Sequence, residues 1–153
     1  MTQKEIELTW SNAKAEHTEK KNAEIQRYNQ ELDELNANEE RIRTEYATKR
    51  AALRSQAEAL TLTRHALQRD GYTEYSTKSD EALTQLMEVY AAQRTAKDEF
   101  MSLLRESKRR KDAAKVAHEE ILRNFKIALT KRKNALWAQL EKSENPTNPD
   151  EKC

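Results

Sequence analysis

Apolar side chains recur along this chain at alternating steps of three and four residues. Ile6, Trp10, Ala13 and His17 set a first frame. From Ile25 a second frame runs through Tyr28, Leu32, Leu35, Glu39, Ile42, Tyr46, Lys49, Leu53, Gln56, Leu60, Thr63 and Leu67. Steps averaging 3.5 place such residues on one stripe of an α-helix. The pattern predicts a first helix over about residues 3–69. The two frames do not join in phase, which predicts a stutter near Lys20–Glu24. A further stripe predicts a second helix over about residues 79–143. It reads Leu83, Leu86, Tyr90, Gln93, Lys97, Phe100, Leu104, Ser107, Lys111, Ala114, His118, Ile121, Phe125 and Ala128.

Between the stripes lies Asp70-Gly71-Tyr72, followed by a Thr-, Ser- and Tyr-rich run to Ser79. Glycine takes positive φ without steric cost and commonly closes a helix. Residues 70–79 therefore read as the connection, with a Thr77 or Ser79 cap opening the second helix. Asn145-Pro146 stops that helix. The polar residues 144–153 read as a disordered tail. The expected fold is all-α, two helices of about 100 Å forming an antiparallel coiled-coil hairpin over residues 1–143.

In an antiparallel pair the two residues of a layer should sum to a constant. Leu67 with Leu86, Leu53 with Phe100, Leu32 with Ile121 and Tyr28 with Phe125 each sum to 153, centring the turn at 76.5. Two continuous heptad frames match at one sum in every seven, so the informative feature is that large residues meet large ones across several layers. Charge supports the pairing. Residues 105–133 carry eleven Lys and Arg against four Asp and Glu, whereas residues 17–45 carry five against eight.

Composition agrees with helices and sharpens the picture. The 153 residues include one glycine and two prolines, too few for the turns of a sheet protein. Charged residues make up 36%, which leaves apolar side chains for a narrow seam and not for a globular core. Net charge is +1, so bulk charge names no partner. No apolar run reaches the length of a membrane span. The segment MTQKEIELTW lacks the regions of a secretory signal, and the single Cys153 cannot make an internal disulfide. A cytoplasmic, reducing compartment is the expectation.

No catalytic, cofactor or metal site is expected. One glycine forbids both common phosphate-binding loops. His17, His65 and His118 lack the helical partners that zinc and di-iron sites use. The sharpest local feature is a basic run: Arg105, Lys108, Arg109, Arg110, Lys111 and Lys115. It could contact phosphates of nucleic acid or a membrane surface. No aromatic side chains accompany it for base stacking, and pairing with the acidic stretch of the first helix is the favoured reading.

The seam is polar for a coiled coil, with Glu39, Lys49, Gln56, Thr63, Gln93, Lys97, Ser107, Lys111 and His118 at seam positions. Each polar layer forgoes much of the roughly 1.5–3 kcal/mol that burying a leucine contributes. The chain is therefore expected to be completed by a protein partner, a larger assembly or a second copy. Trp10, Leu129, Leu136 and Trp137 at the open end are the first expected docking residues, and Tyr72 and Tyr75 at the tip are the second. In length and outline the hairpin resembles the small coiled-coil stalk proteins of flagellar and type III secretion export ATPases. That resemblance implies a stalk-like subunit or chaperone. A non-enzymatic structural or assembly component is the function the sequence favours.

Overall fold

The computed structural model describes residues 2–70 and 73–144, with side chains undescribed at 70, 73–76, 143 and 144. The expected tip residues Gly71, Tyr72 and Tyr75 and the tail from 145 onward thus lie, in whole or in side chain, outside the described residues. Two helices account for the rest: α1, Gln3–Asp70, and α2, Thr73–Glu144. A capping box opens α1. The Glu5 amide donates to Thr2 Oγ1 (3.2 Å), and the Thr2 amide donates to Glu5 Oε2 (3.0 Å). Two otherwise orphaned amides of the helix start are satisfied in this way.

The helices pair antiparallel as a hairpin and form two compact units. A terminal unit combines Met1–Asp33 with Lys111–Cys153, and a central unit comprises Glu34–Arg110. In the terminal unit Trp10 meets Trp137, Glu16 meets Arg132 and Tyr28 meets His118. In the central unit Glu39 meets Ser107, Tyr46 meets Phe100 and Lys49 meets Glu99.

These contacts correct the register. Tyr28 with His118 and Tyr46 with Phe100 both sum to 146, one heptad below the expected 153. Phe100 faces Tyr46 and not Leu53, and Tyr28 faces His118 and not Phe125. The stripes match equally well at either sum, so the apolar pattern alone could not separate them. The position of the second helix does. It begins at Thr73 and includes most of the stretch expected as the connection. Residues 73–79 contain no Gly or Pro to break a helix, and Ser79 is buried, as are Ala82 and Leu86. A seam that starts earlier in α2 carries each layer closer to the turn.

The seam itself is built largely from small residues. Among the described residues the buried apolar set is Ile6, Ala13, Ala57, Ala82, Leu86, Ala96, Ala114 and Leu136, with Ser79 and Ser107 between them. Small side chains let two helices approach closely, but each contributes little buried area. Several expected seam positions rotate out. Ala57 replaces Gln56, Arg64 replaces Thr63, and Val89 and Ala96 replace Tyr90 and Lys97. Near the phase break Glu24 is buried while Ile25 is 36% exposed. The first frame therefore continues to Glu24, and the stutter falls between Glu24 and Tyr28.

The register is testable by cross-linking. In a Cys153→Ser background, Tyr46→Cys with Phe100→Cys is expected to form a disulfide under mild oxidation. Leu53→Cys with Phe100→Cys is displaced by one heptad, about 10 Å along the helix, beyond disulfide reach. Efficient closure of the second pair and not the first, read on a non-reducing gel, would restore the 153 register.

Candidate functional site

Three groupings of side chains stand out, each within one unit. The first is a polar layer of the terminal unit. Arg27 donates twice to Glu24, Nε to Oε2 at 2.8 Å and Nη2 to Oε1 at 2.6 Å, and once to Glu31 at 2.8 Å. Residues 24, 27 and 31 share a helix face, so one guanidinium serves both carboxylates. Across the seam His118 Nδ1 lies 3.1 Å from Glu24 Oε1. The His118 ring stacks on Tyr28, centroids 4.1 Å apart and planes 7° from parallel.

Hydrogen bonding from Arg27, with His118 adding to it, overcomes the opposing effect of burial and holds Glu24 at a pKa of about 2 against an ordinary 4.5. The same pairing raises the Arg27 pKa. A histidine with a carboxylate is the beginning of many acid–base sites. Here the carboxylate is a weak base, clamped by Arg27, and the imidazole face is covered by Tyr28. The arrangement suits a layer that specifies pairing. Among the described residues no group of three His, Cys, Asp or Glu side chains is placed to hold a metal ion. No described helix is long and apolar enough to cross a membrane.

The second grouping is the end of the terminal unit where docking residues were expected. Trp10 and Trp137 meet edge to face, centroids 5.7 Å apart at 82°. Lys14 Nζ lies 5.6 Å from the Trp10 ring, and Lys133 Nζ lies 6.0 and 5.7 Å from the two rings. Such contacts contribute about 0.5–1.5 kcal/mol for the aromatic pair and about 0.5–1 for each exposed cation–π contact. Leu136 is buried in the seam and Leu129 is half-buried beside Ala13 and Phe125. Trp10, Leu129 and Leu136 are thus engaged at this end, while Leu8 and Trp137 are exposed. Nearby, Arg132 donates to Glu16 at 2.8 Å and holds that carboxyl below its usual range.

The basic run divides between the two units. In the central unit Arg109 and Arg110 both pair with Glu106 of their own helix, at 3.2 and 3.4 Å, while Arg105 and Lys108 are exposed. In the terminal unit Lys111 is half-buried and Lys115 exposed. The acidic partner of the two arginines is thus intrahelical.

The third grouping was not anticipated. In the central unit the helices flank an open groove of about 650 Å³. Its apolar lining is Tyr46, Leu53, Met87, Tyr90 and Ala96, and its charged lining is Arg50, Arg54, Arg94 and Lys97. The groove continues past Arg54, Tyr90 and Gln93 to Ala57, Thr61 and Leu62. On α2, Met87, Tyr90, Arg94 and Lys97 follow 3-4-3 steps and form a second stripe beside the seam. The sequence signal was present, since Met87 and Leu62 lie off the heptad frames. The frames had assigned Tyr90 and Lys97 to the seam, which hid the stripe.

The polar layer makes a pH prediction. A carboxylate whose folded pKa is depressed stabilises the fold above its unfolded pKa and loses that contribution as pH falls through the folded value. Wild-type stability should therefore drop between about pH 5 and pH 2. Glu24→Gln is expected to cost about 1–2 kcal/mol at pH 7 and to flatten that drop. Urea titrations at pH 7, 4 and 2.5 check this, and parallel pH profiles for the two chains would contradict it.

Compared with known proteins, the chain matches no family model, no curated protein and no solved structure.

Proposed function

We propose that this chain is a non-enzymatic assembly component whose helical hairpin is completed by a partner protein, and that the partner docks along the central unit. The observation that carries this reading is the open groove with its exposed apolar border. Leu62 is 69% exposed, Met87 55% and Tyr90 41%, all on one groove. Exposed apolar residues are ordinary when scattered. A contiguous set lining a concave surface marks a binding site.

The seam beneath supports the same reading. Its buried residues here include Ala57 and Ala96, whose small side chains bury little area. Arg64 has a buried Nε without a hydrogen-bond partner, a defect of about 1–3 kcal/mol. A hairpin with such layers gains much of its stability from what covers it. The Trp10–Trp137 end, where Trp10, Leu129 and Leu136 are engaged, is a secondary surface through Trp137.

The purified chain is therefore expected to be helical but to melt below about 60 °C, within or under the usual range for small domains. In hydrogen exchange, amides over 46–62 and 87–97 should open more readily than those around Glu24 and His118. A monomer, verified by light scattering, that melts well above 60 °C with uniform protection would defeat the proposal.

A further inference from the structure

We infer that the central-unit groove receives an acidic amphipathic helix of a partner protein. This inference rests on the docking reading above and adds the chemistry of the occupant. Four cations line the main groove and no carboxylate does. Arg50 and Arg54 stand one turn apart on α1, and Arg94 and Lys97 stand nearly one turn apart on α2. None of the four is in an ion pair among the described residues, although nearby Lys49, Arg43, Arg109 and Arg110 are. Glu58, in the continuation towards Leu62, is the one carboxylate along the path.

The geometry selects a helix. From Tyr46 to Leu62 the path follows 16 residues of α1, about 24 Å, or four to five turns. A leucine stripe at three- and four-residue steps would seat between Leu53 and the Met87–Tyr90 border. Glutamates beside that stripe would reach a row of cations on each side, the pairing that flanking charges make in coiled coils. The floor, made of Leu53, Ala57 and Ala96, is apolar, which favours a helix over a nucleic-acid strand. A second copy fits poorly. Outside the groove the exposed large apolar residues on α1 are Leu8 and Ile25, 17 positions apart, and those on α2 are similarly scattered. Among the described residues no exposed acidic leucine stripe is present.

The test uses the full chain and an 18-residue helical peptide with leucines at positions 3, 7, 10 and 14 and glutamates flanking them. Two matched peptides carry lysine or glutamine in place of glutamate, and an oligothymidylate serves as a nucleic-acid probe. Fluorescence anisotropy should show the acidic peptide binding at least about tenfold more tightly than either matched peptide, with affinity falling as salt rises. Arg50→Glu with Arg94→Glu should weaken it by at least tenfold and favour the lysine peptide. Lys126→Glu with Lys131→Glu, the same charge change on exposed sites of the terminal unit, should leave it unchanged. Circular dichroism of both double variants verifies that they remain helical.

Equal binding of the acidic and glutamine peptides would overturn the charge inference and leave the docking reading standing. Binding of the oligonucleotide with the same sensitivity to Arg50→Glu and Arg94→Glu, without peptide binding, would overturn both in favour of a phosphate ligand. Self-association abolished by Met87→Lys would make a second copy the occupant and overturn the inference. No binding by any peptide would overturn both.

Discussion

A slide of one heptad between paired helices leaves an apolar stripe facing an apolar stripe. Buried area is therefore a weak determinant of register in a hairpin like this, and most of all where the stripe is made of alanine and serine. What the slide cannot preserve is a specific polar or planar contact. In the terminal unit the slide would take His118 off Tyr28 and away from Glu24, leaving a buried carboxylate with only its intrahelical arginine. In the central unit it would take Phe100 off Tyr46, a stack at 4.1 Å and 6°, and Ser107 off Glu39. An unmade hydrogen bond of a buried group is more expensive than a made one is favourable. The discrimination between registers thus comes from individual polar and planar contacts and not from total buried area.

This recasts the polar seam. Glu39, Ser107 and His118 look like defects when the seam is judged by apolar content. Each has a partner across the helix pair or beside it. Ser107 Oγ donates to Glu39 Oε2 at 3.2 Å, and Arg43 donates to the other oxygen at 3.1 Å. Glu24 is held in the same way from its own helix and from the opposite one. At Glu24 the charged carboxylate is favoured because the Arg27 guanidinium on the same face donates two bonds to it without crossing the seam. The polar layers and the small-residue layers then divide the work: the first choose the pairing, and the second bring the helices together.

The fold class could be read from the sequence because it depends on sums over many residues. One glycine, two terminal prolines and sustained heptads leave little but long helices, and Gly71 marks where they part. Register could not be read, because it depends on single contacts that the heptad treats as interchangeable. Tyr28 was assigned to a layer with Phe125 on size alone, whereas its flat ring is matched by the flat ring of His118. The start of α2 was missed for a related reason. Thr, Ser and Tyr in residues 73–79 have modest helix propensity, yet the helix includes them. Of the candidate sites, the tryptophan end was visible as two aromatic residues far apart in sequence. The groove was hidden because a continuous frame absorbed Tyr90 and Lys97.

Between Leu83 and Phe100, α2 carries two adjacent stripes, Leu86–Val89–Gln93–Ala96 and Met87–Tyr90–Arg94–Lys97. One neighbouring helix can bury only one of them. The stripe turned to α1 is the one that contains the small, buried Ala96. The bulkier stripe is left beside the seam with Arg50 and Arg54 opposite. A second stripe inclined by one residue from the first is the feature that distinguishes a helix in a three-helix contact from one in a simple pair. The partner helix proposed above would give this bulkier stripe the second neighbour that the hairpin itself does not supply.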